Sequence, residues 1–138
     1  MLPPMHRLAC SLIILLVCGC SSSGPPTGAV TGKVLLDGVA ITSGNVITLP
    51  NSGKGANGVI QPDGTFRLKT VGLGDFVVAG NHRVAVVAYK GEQSAQNPEA
   101  TGQLLVPQRY IDVATSGLSI DVVAGETKEV TLELTTLR

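Results

Sequence analysis

The chain has 138 residues and a mass of 14.2 kDa, room for one domain and a short targeting segment. It is 43% hydrophobic and only 14% charged, and its ten basic and ten acidic residues cancel, which leaves no electrostatic footprint for nucleic acid. Cys10, Cys18 and Cys20 all precede residue 21, so the rest of the chain is expected to hold neither a disulfide nor a thiolate metal centre.

The first element in chain order is a leader. Residues 1–7 carry Arg7 and His6 beside the amino terminus, and residues 8–17 (LACSLIILLV) form an almost wholly apolar run of ten. A bilayer-spanning helix needs roughly 20 such residues, so a run half that long reads as an export signal and not a span. Residues 17–20, Val-Cys-Gly-Cys, resemble the lipobox of bacterial lipoproteins, with Val17 at the aliphatic position and Gly19 at the small one. The resemblance implies cleavage between Gly19 and Cys20, a thioether-linked diacylglycerol on Cys20, and acylation of the freed amine. The physical logic agrees, because one acyl chain holds a protein only marginally and two or three hold it lastingly. The alternative is an ordinary secretory signal in which Cys20 is incidental. Ser21, in place of aspartate, implies by the same family's sorting rule onward transport to an outer membrane, facing periplasm or exterior.

Residues 21–28 (SSSGPPTG) read as a tether, flexible at the serines and stiffer at Pro25-Pro26. Eight residues at up to ~3.5 Å each reach about 28 Å. The expected organisation is a signal peptide at 1–19, a lipid-anchored tether at 20–28 and a folded domain at 29–138.

From Ala29 onward the hydrophobic period is two. Val30, Gly32, Val34 and Leu36 alternate with Thr31 and Lys33, and Phe66 and Leu68 alternate with Arg67 and Lys69. Val84, Val86 and Ala88 form another row, followed by Leu118-Ser-Ile120-Asp-Val122 and Val130-Thr-Leu132-Glu-Leu134. Such alternation marks half-buried strands with one wet face. Turn chemistry falls between the runs, at Asp37-Gly38, Ser43-Gly44-Asn45, Pro62-Asp63-Gly64 and Ala124-Gly125. Strands are predicted near 29–35, 39–41, 45–49, 56–60, 65–69, 82–89, 118–123 and 128–134. Seven or eight short strands make an all-β, antiparallel two-sheet β-sandwich. Residues 90–108 (KGEQSAQNPEATGQLLVPQ) break the rhythm and read as a long polar excursion, based at Tyr89 and Tyr110.

VTGKVLLDGVAITSGNVITLP resembles the opening of carboxypeptidase-regulatory-like, or transthyretin-like, domains, and PDGTFRL resembles their hairpin, with Phe66 entering the core. The closing segment, LVPQRYIDVATSGLSIDVVAGETKEVTLEL, is similar to that of small envelope lipoproteins carrying such a domain. The resemblance runs over about residues 29–136 and implies the sandwich fold; its motifs are structural, so they imply no activity. The family's Gly-x-Tyr pair is here Gly80-Asn81-His82, which puts a histidine where an aromatic is expected.

Chemistry is sparse. His82 is the sole histidine after the leader, and the aspartates are scattered singly, without metal-ligand spacing, so neither metal nor cofactor is expected. His82 reads as a surface or strand-end residue. No Gly-x-Ser-x-Gly elbow is present, and no catalytic residue is assigned. A hydrolase would have to be built around His82, and a non-enzymatic protein is expected. Sugar stacking needs exposed aromatics, for which Tyr89 and Tyr110, flanking the excursion, are the candidate ligand contacts. The reading reached is a lipid-anchored structural or protein-interaction module of the envelope, touching the membrane through its lipid and a protein or surface polymer through an edge strand or the excursion. The alternative is a carbohydrate-binding module.

Overall fold

A computed structural model describes residues 24–90 and 102–137. The first strand, β1 (Thr27–Leu36), keeps the alternation read from its sequence, with Val30, Gly32 and Val34 buried and Lys33 exposed. It turns at Asp37 and Gly38 into β2 (Val39–Ala40). Both turn residues have positive φ, 49° and 83°, as a two-residue type I′ hairpin requires. Asp-Gly suits this turn because aspartate tolerates the left-handed region and glycine has no Cβ to clash there. The chain continues through β3 (Asn45–Pro50), β4 (Ala56–Val59), β5 (Thr65–Arg67), β6 (Val77–Val78) and β7 (Gly80–Val87). It then forms β8 (Tyr89–Lys90), β9 (Gln103–Leu104), a 3-10 turn at Gln108–Ile111, β10 (Leu118–Val122) and β11 (Thr127–Leu134).

Each strand expected from the sequence is present, and β6, β8 and β9 are additions of two residues each. β1 also begins inside the stretch expected to be tether, because Thr27 and Gly28 pair with Val78 and Val77. The excursion is narrower than its sequence suggests: Tyr89–Lys90 pairs with Gln103–Leu104 and closes its base.

The strands form two principal sheets around one core. In the first, β11 lies along one side of β1, while β6, β5 and β2 succeed one another along the other. The second runs β10-β7-β3-β4, all antiparallel. One pair departs from the antiparallel expectation: β11 runs parallel to β1, in unbroken register from Ala29↔Thr127 to Leu36↔Leu134. The Ala124-Gly125 turn carries the chain from one sheet to the other, so β10 and β11, though consecutive, form no ladder. Between the sheets lie Val30, Val34, Phe66, Leu68, Val84, Val86, Ile120 and Leu132, all buried. Each contributes on the order of 1.5–3 kcal/mol by leaving water. At one corner the sheets are joined, since Asn57 on β4 and Lys69 just beyond β5 exchange main-chain bonds of 2.9 and 2.8 Å.

Candidate functional site

Residues 1–23, with the expected leader, Gly19 and the candidate lipid-bearing Cys20, lie outside the described residues, as does 91–101 of the expected excursion. Within the folded part, polar chemistry gathers at a few places. His82, on β7, is wholly buried, which corrects the surface reading drawn from sequence. Its Nε2 is 2.7 Å from the Val78 carbonyl, which can only accept, so Nε2 carries the proton. In the neutral ring Nδ1 then accepts from the Thr48 hydroxyl at 3.2 Å, and the same hydroxyl oxygen accepts the Ala56 amide at 3.2 Å. With both nitrogens engaged in the core, the ring is a structural cross-brace from β7 to β6 and β3, and Thr48 carries the link on to β4.

The two candidate aromatic contacts part company. Tyr89, on β8, is 44% exposed, whereas Tyr110, in the 3-10 turn, is 4% exposed. The Tyr110 hydroxyl accepts the Thr135 amide at 3.0 Å and an Arg109 Nη2 hydrogen at 2.8 Å, and the guanidinium stacks 4.6 Å above its ring. Tyr110 therefore offers a sugar no open face. It anchors the end of the chain after β11, helped by Arg109, whose Nη2 shares its two hydrogens between the Tyr110 hydroxyl and the carbonyls of Thr135 and Leu137 at 2.5 and 2.9 Å. Asp37, in the first turn, clasps the same tail: its carboxylate accepts the Thr136 amide at 3.1 Å and the Thr136 hydroxyl at 2.7 Å.

A depression of about 680 Å³ lies over the outer face of β1, β5 and β11 at the joined corner. Lys33, Arg67, Lys69, Asp75 and Glu129 give it charges of both signs. Asp75 receives Arg67 and Lys69 at 3.6 Å each, with all three side chains at least half exposed. Exposed pairs of this kind are worth at most about 1 kcal/mol, so they shape the groove more than they hold the fold. The lining includes no histidine or cysteine. Sequence reasoning saw Arg67 and Lys69 only as the wet face of a strand. Their convergence on Asp75 depends on a turn after Thr70 whose path no spacing rule announces. Among the described residues no group of three His, Cys, Asp or Glu side chains is placed to hold a metal ion.

No family model matches the sequence, and no curated protein matches it. Among solved structures, the chain is similar to a DUF3823 family protein from Parabacteroides merdae ATCC 43184, with 15% identity and a TM-score of 0.46. The alignment covers 81% of this chain and 47% of that one, so the chain spans about half the length of the protein it matches.

Proposed function

We propose that this chain is a non-enzymatic, lipid-anchored envelope protein of the carboxypeptidase-regulatory-like type that works by binding another polypeptide. Its folded part is a sandwich in which, among the described residues, β11 leaves the longest unpaired strand edge, and that edge is the observation supporting an interaction role. The location rests on the resemblance of Val17-Cys18-Gly19-Cys20 to a lipobox, followed by a short polar tract that leads into β1 at Thr27. A tether of that length leaves the domain near the membrane with its edge strand free to meet a partner.

One experiment addresses both halves. The full chain is expressed in its own cells with a photo-crosslinking residue in place of the exposed Thr131, then isolated and weighed by mass spectrometry. Expected are the absence of residues 1–19, acyl mass on Cys20, and a covalent adduct with a second polypeptide after illumination. An unmodified Cys20 would overturn the anchor, and a chain that stays free of adducts at Thr131, yet crosslinks from the β2 position Val39, would overturn the edge.

A further inference from the structure

Among the described strands of four or more residues, uncovered main chain lies along one seam. β1 has neighbours on both sides, and β4 is closed by the bonds between Asn57 and Lys69. β7 is flanked by β3 and β10, and beyond the reach of β10 the Ala88 carbonyl accepts the Leu105 amide. That leaves β10, which ends the second sheet, and β11, which ends the first; they meet at the turn between them, where the Lys128 ammonium bonds the Asp121 carbonyl at 3.0 Å. Along β11's far edge no main-chain bond is made by any described residue.

Natural edge strands are usually blunted by bulges, prolines or free lysines. β11 has eight residues in unbroken register, no proline, and one lysine that is already engaged. Its outer face presents Glu129, Thr131 and Glu133, all exposed, and neither glutamate takes part in an ion pair among the described residues. Its inner face carries Val130, half-buried, and Leu132 and Leu134, both buried in the core. The two carboxylates are four residues apart, about 13 Å along a strand.

This pattern disfavours a second copy. Antiparallel pairing of β11 with itself keeps outer faces together, so only registers that oppose residues of like parity are open. Centred on Thr131, such a pairing sets Glu129 directly against Glu133 twice; centred on Val130 or Leu132, the carboxylates become diagonal neighbours. No outward cation on β11 relieves either arrangement, and like charges facing across a ladder are destabilising.

We infer that the β11 edge receives an extended segment of another polypeptide, antiparallel, with Lys or Arg at two positions four residues apart and apolar residues on its other face. The cations meet Glu129 and Glu133, and the apolar row extends the core face beside the half-buried Val130. The residue between the cations is neutral, because Lys33 lies one strand in, opposite Thr131. This deepens the interaction role proposed above and rests on it, while lipidation of Cys20 stands or falls separately.

The probe is the nonapeptide Thr-Val-Lys-Val-Thr-Val-Lys-Val-Thr, fluorescein-labelled, titrated against the full chain in non-ionic detergent. The expected result is saturable binding, with amide exchange slowed about tenfold or more across 129–133 and little changed on β3. Changing both carboxylates, Glu129→Lys with Glu133→Lys, weakens binding by about tenfold or more, and the milder Glu129→Gln with Glu133→Gln falls between. A peptide of equal charge, N-methylated at alternate amides, loses binding. The inference is overturned by no saturation up to about 1 mM peptide. Equal binding of the N-methylated peptide overturns it too, since charge alone would then suffice. So does concentration-dependent protection of 129–133 without peptide, which would give the edge to a second copy.

Discussion

His82 shows how a buried polar residue can organise apolar surroundings. Its ring spans the Val78 carbonyl and the Thr48 hydroxyl, and Thr48 in turn receives the Ala56 amide, so two linked side chains satisfy groups from three segments. Removing a buried partner costs more than the bond itself is worth, because the groups left behind stay out of water. His82→Ala is expected to destabilise by about 2–4 kcal/mol, combining a cavity with an orphaned carbonyl. Thr48→Val is expected to cost about 1–2 kcal/mol, and the double variant less than the sum, since both changes remove the same bond. Urea unfolding of the four proteins measures this; strict additivity would mean the ring and hydroxyl are not coupled. The histidine's role was not legible in the sequence. Its partner Thr48 is 34 residues away, and a lone histidine between polar neighbours gives no sign of which way it faces.

At the scale of elements, β1 is the strand with least freedom to change. Where it passes β11, a Cβ built on Gly32 would collide with the Val130 carbonyl oxygen and stand 2.9 Å from the Phe66 ring. The backbone carbonyl cannot step aside without disturbing the parallel ladder. Gly32→Ala is therefore expected to destabilise by about 3 kcal/mol or more, whereas Gly24→Ala, with nothing within 4 Å of the added carbon, stays within about 0.5 kcal/mol. Thermal unfolding of both variants tests the contrast, and equal melting temperatures would refute it. The alternating rows of β1, β7, β10 and β11 were readable because inward and outward positions are a local property of a strand. β6, β8 and β9 were not, since two residues hold no period; they are strands only because Thr27–Gly28 and the two ends of the excursion come beside them.

The whole molecule is closed by contacts between its ends. Asp37 sits in the first hairpin and holds Thr136, 99 residues later, through both carboxylate oxygens. Hydrogen bonds from the Thr136 hydroxyl, then from its amide, lower the Asp37 pKa below 3.8. The Thr65 hydroxyl and then its amide do the same for Asp63 in the second hairpin. A carboxyl whose pKa is lower folded than unfolded stabilises the fold when ionised. Its contribution is complete above about pH 5 and disappears as pH falls through the lowered folded values. Against wild type, Asp37→Asn with Asp63→Asn, which keep the turn geometry and remove the charge, should lower the urea midpoint at about pH 6, with the gap closing toward about pH 2. A gap that stays constant across that range would show that ionisation of these two groups has no part in closing the molecule.

The sequence by itself determined which residues face inward along the main strands, where the Asp37-Gly38 and Asp63-Gly64 turns fall, and that the fold is all-β. These features come from period-two geometry and turn stereochemistry, which act over a few residues. Only the tertiary structure decided that β11 lies parallel to β1, that His82 and Tyr110 are interior, and that Arg67 and Lys69 converge on Asp75. It also decided which edge stays uncovered. Those outcomes depend on pairings such as Ala29 with Thr127, between residues far apart in the chain. Direction and neighbour in a sheet are selected by how both faces pack at once, a condition that no short stretch of sequence contains.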